Sequence, residues 1–123
     1  MFKDVTRVLV LFGVLTAWSS AHAAKCDNAT ASLCWKMVEG KKMVECVGEL
    51  GEGENGPATT TVSYTEGGTS SSASGTAKGT RKKAKIGIAA PSNNETEVTA
   101  SVKGSNCEAA QKAKKKMKDI PAC

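Results

Sequence analysis

The sequence predicts an α+β fold: a small antiparallel sheet of four or five strands with a C-terminal amphipathic helix, stapled by disulfides. Three observations lead there. Apolar residues alternate along short segments between residues 33 and 103; Ala109, Ala110, Ala113, Met117 and Ile120 recur at helical spacing; and five cysteines stand in a chain that begins like an exported one.

The leader comes first in the chain. Lys3 and Arg7 precede an apolar run from Val8 to Trp18, which ends at Ser19-Ser20 and the small-residue stretch Ala21-His22-Ala23. The run is about 11 residues, short of the roughly 20 a bilayer requires, so residues 1–23 read as a signal peptide cleaved after Ala23. Lys25 in front of Cys26 argues against a lipid anchor on that cysteine. The expected product is one small disulfide-containing domain, 24–123, which does not span a membrane and is periplasmic or secreted. The full chain carries 17 basic and 12 acidic side chains, a formal charge of +5. Cleavage removes two basic residues and one acid, leaving +4. It also removes His22, the only histidine.

Residues Leu33 to Gly48 fit a hairpin turning at Glu39-Gly40-Lys41-Lys42, with Gly40 in the first central position of a type II′ turn. Trp35 then lies opposite Cys46, Met37 opposite Val44, and Lys36 opposite Glu45, giving one apolar face and one cross-strand ion pair. Leu33, Met37, Val44 and Val47 also fall at helical spacing, so the same stretch admits a helix. Ala58 to Thr65 predicts a strand with Val62 and Tyr64 on one face. The stretch 67–80 is almost wholly Gly, Ser, Thr and Ala and predicts a flexible loop. Lys83 to Ala90 and Glu95 to Lys103 predict two more strands, paired through a loop of odd length so that Ile86 and Ile88 meet Val98, Ala100 and Val102.

Ser105-Asn106-Cys107-Glu108 has the spacing of a capping box and Pro121 supplies a stop, which predicts the helix over about Cys107 to Asp119. Its apolar stripe would pack on the sheet while Lys112, Lys114, Lys115, Lys116 and Lys118 face solvent. A helix of that length separates Cys107 from Asp119 by roughly 18 Å, and the tail would have to double straight back to close a Cys107–Cys123 bridge, so each is expected to bond a cysteine of the N-terminal segment. The fifth, odd thiol is then one of Cys26, Cys34 and Cys46, and it leaves a covalent dimer open.

Catalysis finds little support. Without histidine, residues 24–123 cannot host a Ser-His-Asp triad, a Cys-His pair or a histidine-bearing zinc site. Gly51-Glu52-Gly53-Glu54-Asn55-Gly56 matches G-x-G-x-x-G letter for letter, but Pro57 and a threonine-rich strand follow where a dinucleotide site requires a helix. The closest cysteines, Cys26 and Cys34, are too far apart for a C-x-x-C redox motif. No catalytic residue, cofactor or metal site is predicted.

The reading that remains is an exported, non-catalytic binding protein of the cell envelope or exterior. Its contacts with an anionic surface or a protein would come from Arg81, Lys82, Lys83 and Lys85 and from the five helix lysines. Export and the lack of aromatic side chains among these lysines argue against nucleic acid. Two alternatives stay open: a secreted inhibitor or effector using the 67–80 loop, and a thiol-active redox protein in which an unpaired Cys107, at a helix start among lysines, would be reactive.

Overall fold

A computed structural model describes residues 24–123, so the predicted leader lies outside the described residues. Seven strands follow one another: β1 (Thr30–Val38), β2 (Lys41–Glu49), β3 (Thr59–Glu66), β4 (Thr69–Thr76), β5 (Lys83–Ala89), β6 (Glu97–Lys103) and β7 (Ala110–Lys116). A short 3-10 turn at Met117–Asp119 is the only helical element among the described residues. The fold is therefore all-β, which corrects the α+β prediction.

Of the two alternatives for 33–48, the hairpin forms. Its turn is Glu39-Gly40, with φ of 50° and 81°, the paired positive angles of a type I′ turn. Val38 consequently pairs Lys41, Leu33 pairs Cys46 and Trp35 pairs Val44. The register differs from the expected one by two residues, a shift that keeps every side chain on its face. Lys36 and Glu45 are thus diagonal neighbours, yet their charges still meet at 3.0 Å.

The predicted C-terminal helix is β7. It pairs antiparallel with β6, and the register slips between Ala100 and Ser101, where Lys112 is the extra residue. That bulge separates the inward-facing Ala110 and Ala113 by three positions. The inward position between Ala113 and Met117 is Lys115, opposite Val98. A bulged strand with one inward charge therefore imitates the i, i+3, i+7 stripe of a helix. The supposed capping serine has another task, since the Ser105 N–H and hydroxyl both donate to the carbonyl of Asn55.

Two further expectations are corrected. Strands β5 and β6 do not pair; β5 borders β2, while β6 lies between β3 and β7 in the other sheet. The stretch 67–80, predicted as a flexible loop, contains the turn Gly67-Gly68 and the strand β4, paired along its length with β3.

The sheets are β1-β2-β5 and β4-β3-β6-β7. They enclose a core of Leu33, Val44, Cys46, Val62, Ile88, Val98, Ala100, Met117 and Ile120. Each buried Val, Leu or Ile contributes roughly 1.5–3 kcal/mol, so a core this poor in large side chains leaves a considerable share of stability to cross-links. The strand order is that of an immunoglobulin-type sandwich in which the fourth strand pairs with the third instead of the fifth. The second strand carries Cys46, as in those domains, but the sixth has no cysteine to meet it.

The disulfides lie at the margins instead. Cys26–Cys107 ties the segment before β1 to the β6–β7 connection, and Cys34–Cys123 ties β1 to the C-terminal tail. Both of the last two cysteines thus reach N-terminal partners, as the sequence predicts. The odd thiol is Cys46, fully buried in β2, so the covalent dimer that the sequence leaves open finds no exposed thiol among the described residues. Two disulfides fit an oxidising compartment outside the cytosol. No helix among the described residues is long and apolar enough to cross a membrane.

Candidate functional site

Alternation along the strands decides where the candidate lysines go. In β5, Ala84, Ile86 and Ile88 face β2's inward residues, so Lys83 and Lys85 lie on the outer face of the three-stranded sheet. In β7, Lys114 and Lys116 pair with Thr99 and Glu97 on the outer face of the four-stranded sheet. The two clusters occupy opposite outer faces and do not form one cationic surface.

Most of these charges also have partners. Lys85 and Lys36 approach Glu45 at 3.6 and 3.0 Å and hold its carboxyl below the usual range, chiefly through the Lys36 hydrogen bond. Lys114 meets Glu97 at 3.6 Å, and Lys116 and Lys118 hold Glu95 at 3.1 and 2.8 Å. Lys118 in turn is raised by Glu95. Lys112 donates to the carbonyl of Asp27, and Lys82 to that of Gly51. Arg81, Lys83 and Lys115 make no ion pair among the described residues.

A groove does exist, on the outer face of the four-stranded sheet. Its cavity is about 670 Å³, lined by Ser63, Thr65, Ser70, Ser72 and Thr99, with Glu95, Glu97, Lys114 and Lys116 along one side. Register explains the lining. Every second residue of β3 and β4 is a serine or threonine, and antiparallel pairing sets them side by side: Thr59 with Thr76, Thr61 with Ser74, Ser63 with Ser72, Thr65 with Ser70. Hydroxyl pairs at 2.9, 2.7 and 3.0 Å link Thr59–Thr76, Thr61–Ser74 and Thr65–Ser70, and Ser63 reaches Thr99 on β6 at 3.1 Å. The result is a sheet face of hydroxyl groups, each retaining hydrogen-bonding capacity, beside compensated ion pairs. Sequence reasoning misses this face because a stretch of Gly, Ser, Thr and Ala reads as a loop; the serine and threonine alternation is its only signal.

The glycine-rich hexapeptide has structural reasons for its letters. Gly53 has a φ of 83°, and a side chain on Gly51 would strike the backbone of Asn28. Glu54 is buried and accepts from the N–H of Asn28 at 2.7 Å and of Gly51 at 2.8 Å, so it pins this turn to the N-terminal segment. The sulfurs of Cys26 and Cys107 lie near Glu54, and those of Cys34 and Cys123 near Glu45. Both sulfur pairs are disulfides, so neither group offers thiolates to a metal.

The thiol-active reading is corrected at Cys107, which is bonded to Cys26. Burial pushes the Cys46 thiol up to about 11, which leaves roughly a hundredfold less thiolate at neutral pH than an ordinary cysteine has. Native protein is therefore expected to resist iodoacetamide at pH 8 and to gain one alkyl group, at Cys46, only when urea unfolds it. Rapid labelling without denaturant, read by mass spectrometry, would contradict this packing of β2. No family model, curated protein or solved structure matches the chain.

Proposed function

We propose that this is an exported, non-catalytic binding protein, periplasmic or secreted, whose ligand lies across the hydroxyl-lined groove of the four-stranded sheet. The ligand chemistry that fits is an uncharged polyhydroxylated chain, such as a neutral glycan. One observation carries this reading: the groove floor presents paired serine and threonine hydroxyls, and the charges beside it are neutralised in pairs. Hydroxyls that both donate and accept match the hydroxyls of a sugar, whereas a polyanion would have to break Lys114–Glu97 and Lys116–Glu95 to gain the lysines.

The lack of histidine in 24–123 supports the non-catalytic part of the reading. Of the lysines that suggest an anionic surface, Lys114 and Lys116 keep a role, on the groove's rim. An inhibitor acting through a free 67–80 arm loses its support, because that stretch is a paired strand.

Titration of isotopically labelled protein with neutral oligosaccharides is the test. Amide shifts are expected to cluster at Ser63, Thr65, Ser70, Ser72 and Thr99, and the double substitution Ser63→Ala, Thr99→Val is expected to weaken binding at least about tenfold, the equivalent of about 1.4 kcal/mol. Silence across a panel of neutral glycans, or salt-sensitive binding of a polyanion at Arg81 to Lys85, would overturn the reading.

A further inference from the structure

A two-sheet sandwich has four edge strands, and unpaired edges invite association unless something blocks them. Three of the four are blocked here. The C-terminal tail lies along β1, with the Trp35 N–H donating to Pro121 and the Cys123 N–H donating to Trp35, and Cys34–Cys123 holds it there. The start of β7 is covered by residues 24–26, through Cys26 N–H to the Glu108 carbonyl and Glu108 N–H to that of Ala24. The rest of β7 is bulged and carries the inward Lys115. β5 carries Lys83 and Lys85.

β4 has none of these devices. Thr69–Thr76 reads TSSSASGT, eight residues without charge, proline or bulge. β5 packs on its inner side at Gly75, next to Lys85 and Ile86, and among the described residues no strand pairs with its other edge. The turn sets which groups face outward. Gly67 and Gly68 have φ of 61° and 81°, a type I′ geometry that makes Glu66 and Thr69 the hydrogen-bonded closing pair. By alternation Ser71, Ala73 and Gly75 also bond β3, and Ser70, Ser72, Ser74 and Thr76 direct their N–H and C=O groups away from the sheet.

We infer that the open edge of β4 pairs antiparallel with β4 of a second copy of this chain, joining two four-stranded sheets into one continuous sheet. The edge is self-complementary. Setting Ser72 opposite Ser74 of the second copy places Ala73 on the two-fold axis, satisfies all four outward residues on each side and keeps the hydroxyl faces coplanar. The same register directs the chain after Thr76 of each copy toward the Gly67-Gly68 turn of the other. The strand itself has no charge to oppose its mate. A contact of this size makes a weak dimer, with dissociation expected at roughly 10–100 µM.

Sedimentation velocity between about 5 µM and 1 mM tests it on the intact, oxidised protein. The expected result is a concentration-dependent monomer–dimer equilibrium, accompanied by slowed amide exchange at Ser70, Ser72, Ser74 and Thr76 as concentration rises. Ser72→Pro removes an outward N–H, which an edge strand tolerates, so circular dichroism and melting should be retained while dissociation shifts up by at least about tenfold. Ser74→Lys, which sets two lysines diagonally across the axis, is expected to act the same way. A wild-type protein that stays monomeric at 1 mM overturns the inference, as does a dimer that both variants leave intact.

Discussion

Reduction of both disulfides is expected to unfold the domain at room temperature. Cys26–Cys107 and Cys34–Cys123 close loops of 81 and 89 residues, and the chain-entropy estimate gives each about 4.5 kcal/mol. The loops overlap, so the second bond constrains a chain already constrained by the first and the pair contributes less than twice that amount. Even so, the loss is comparable to the whole stability of a small domain, about 5–15 kcal/mol, and this core is thin. Urea unfolding with and without reductant measures it directly. The Cys34→Ala, Cys123→Ala variant should also lose order in residues 121–123, where two backbone hydrogen bonds to Trp35 remain as the hold on β1 once the disulfide is gone. A reduced protein with an unchanged urea midpoint would show that the sandwich stands on packing alone.

The elements legible in the sequence were those whose local pattern and tertiary role agree. The hairpin at 33–48 was readable because alternation and turn chemistry coincide there, and the error in its turn type moved the register by two residues without changing faces. That Cys107 and Cys123 each bond an N-terminal cysteine was legible from chain reach, although the helix behind that argument is a strand; which cysteine each one takes was not. Misreadings arose where tertiary partners override local pattern. In β7 a bulge and an inward lysine reproduce helical spacing, and only the neighbouring β6 distinguishes the two. For β5 and β6, the face conflict that forced an odd-length loop was itself the sign that the strands belong to different sheets. The segment between them crosses over, held by Glu66, whose carboxylate accepts from the Ser92 N–H at 3.2 Å and the Asn93 N–H at 2.7 Å.

The candidate site was harder to see. Lysine runs are conspicuous in a sequence, but alternation scatters β7's lysines between two faces and the carboxylates that neutralise them come from elsewhere, Glu95 and Glu97 from the far side of the β6–β7 pairing. Serines and glycines read as loop because neither buries apolar surface. β4 is a strand because β3 offers it a complete ladder and matching hydroxyls, a property of the pair that neither segment shows alone.

The two sheets approach closely at Gly48. This residue faces inward from β2, and a Cβ there would collide with the Thr60 hydroxyl and come within 2.7 Å of the Val102 side chain. Thr60 is itself fully buried, and its hydroxyl donates to the Ala84 carbonyl on β5 at 3.0 Å, so one small volume holds a contact and a hydrogen bond that join the sheets. Gly48→Val forces Thr60 aside and leaves buried polar groups without partners, adding a penalty for an unmet hydrogen bond to one for overpacking. The expected loss is about 3–4 kcal/mol. Gly87 is the control. It lies on the outward side of β5, where a Cβ would find only ordinary contacts at 3.6 and 3.9 Å, so Gly87→Ala should be neutral or stabilise by up to about 1 kcal/mol. Urea midpoints of the two variants separate steric closeness from a general preference for glycine in strands. Equal midpoints would mean that the sheets do not meet at Gly48.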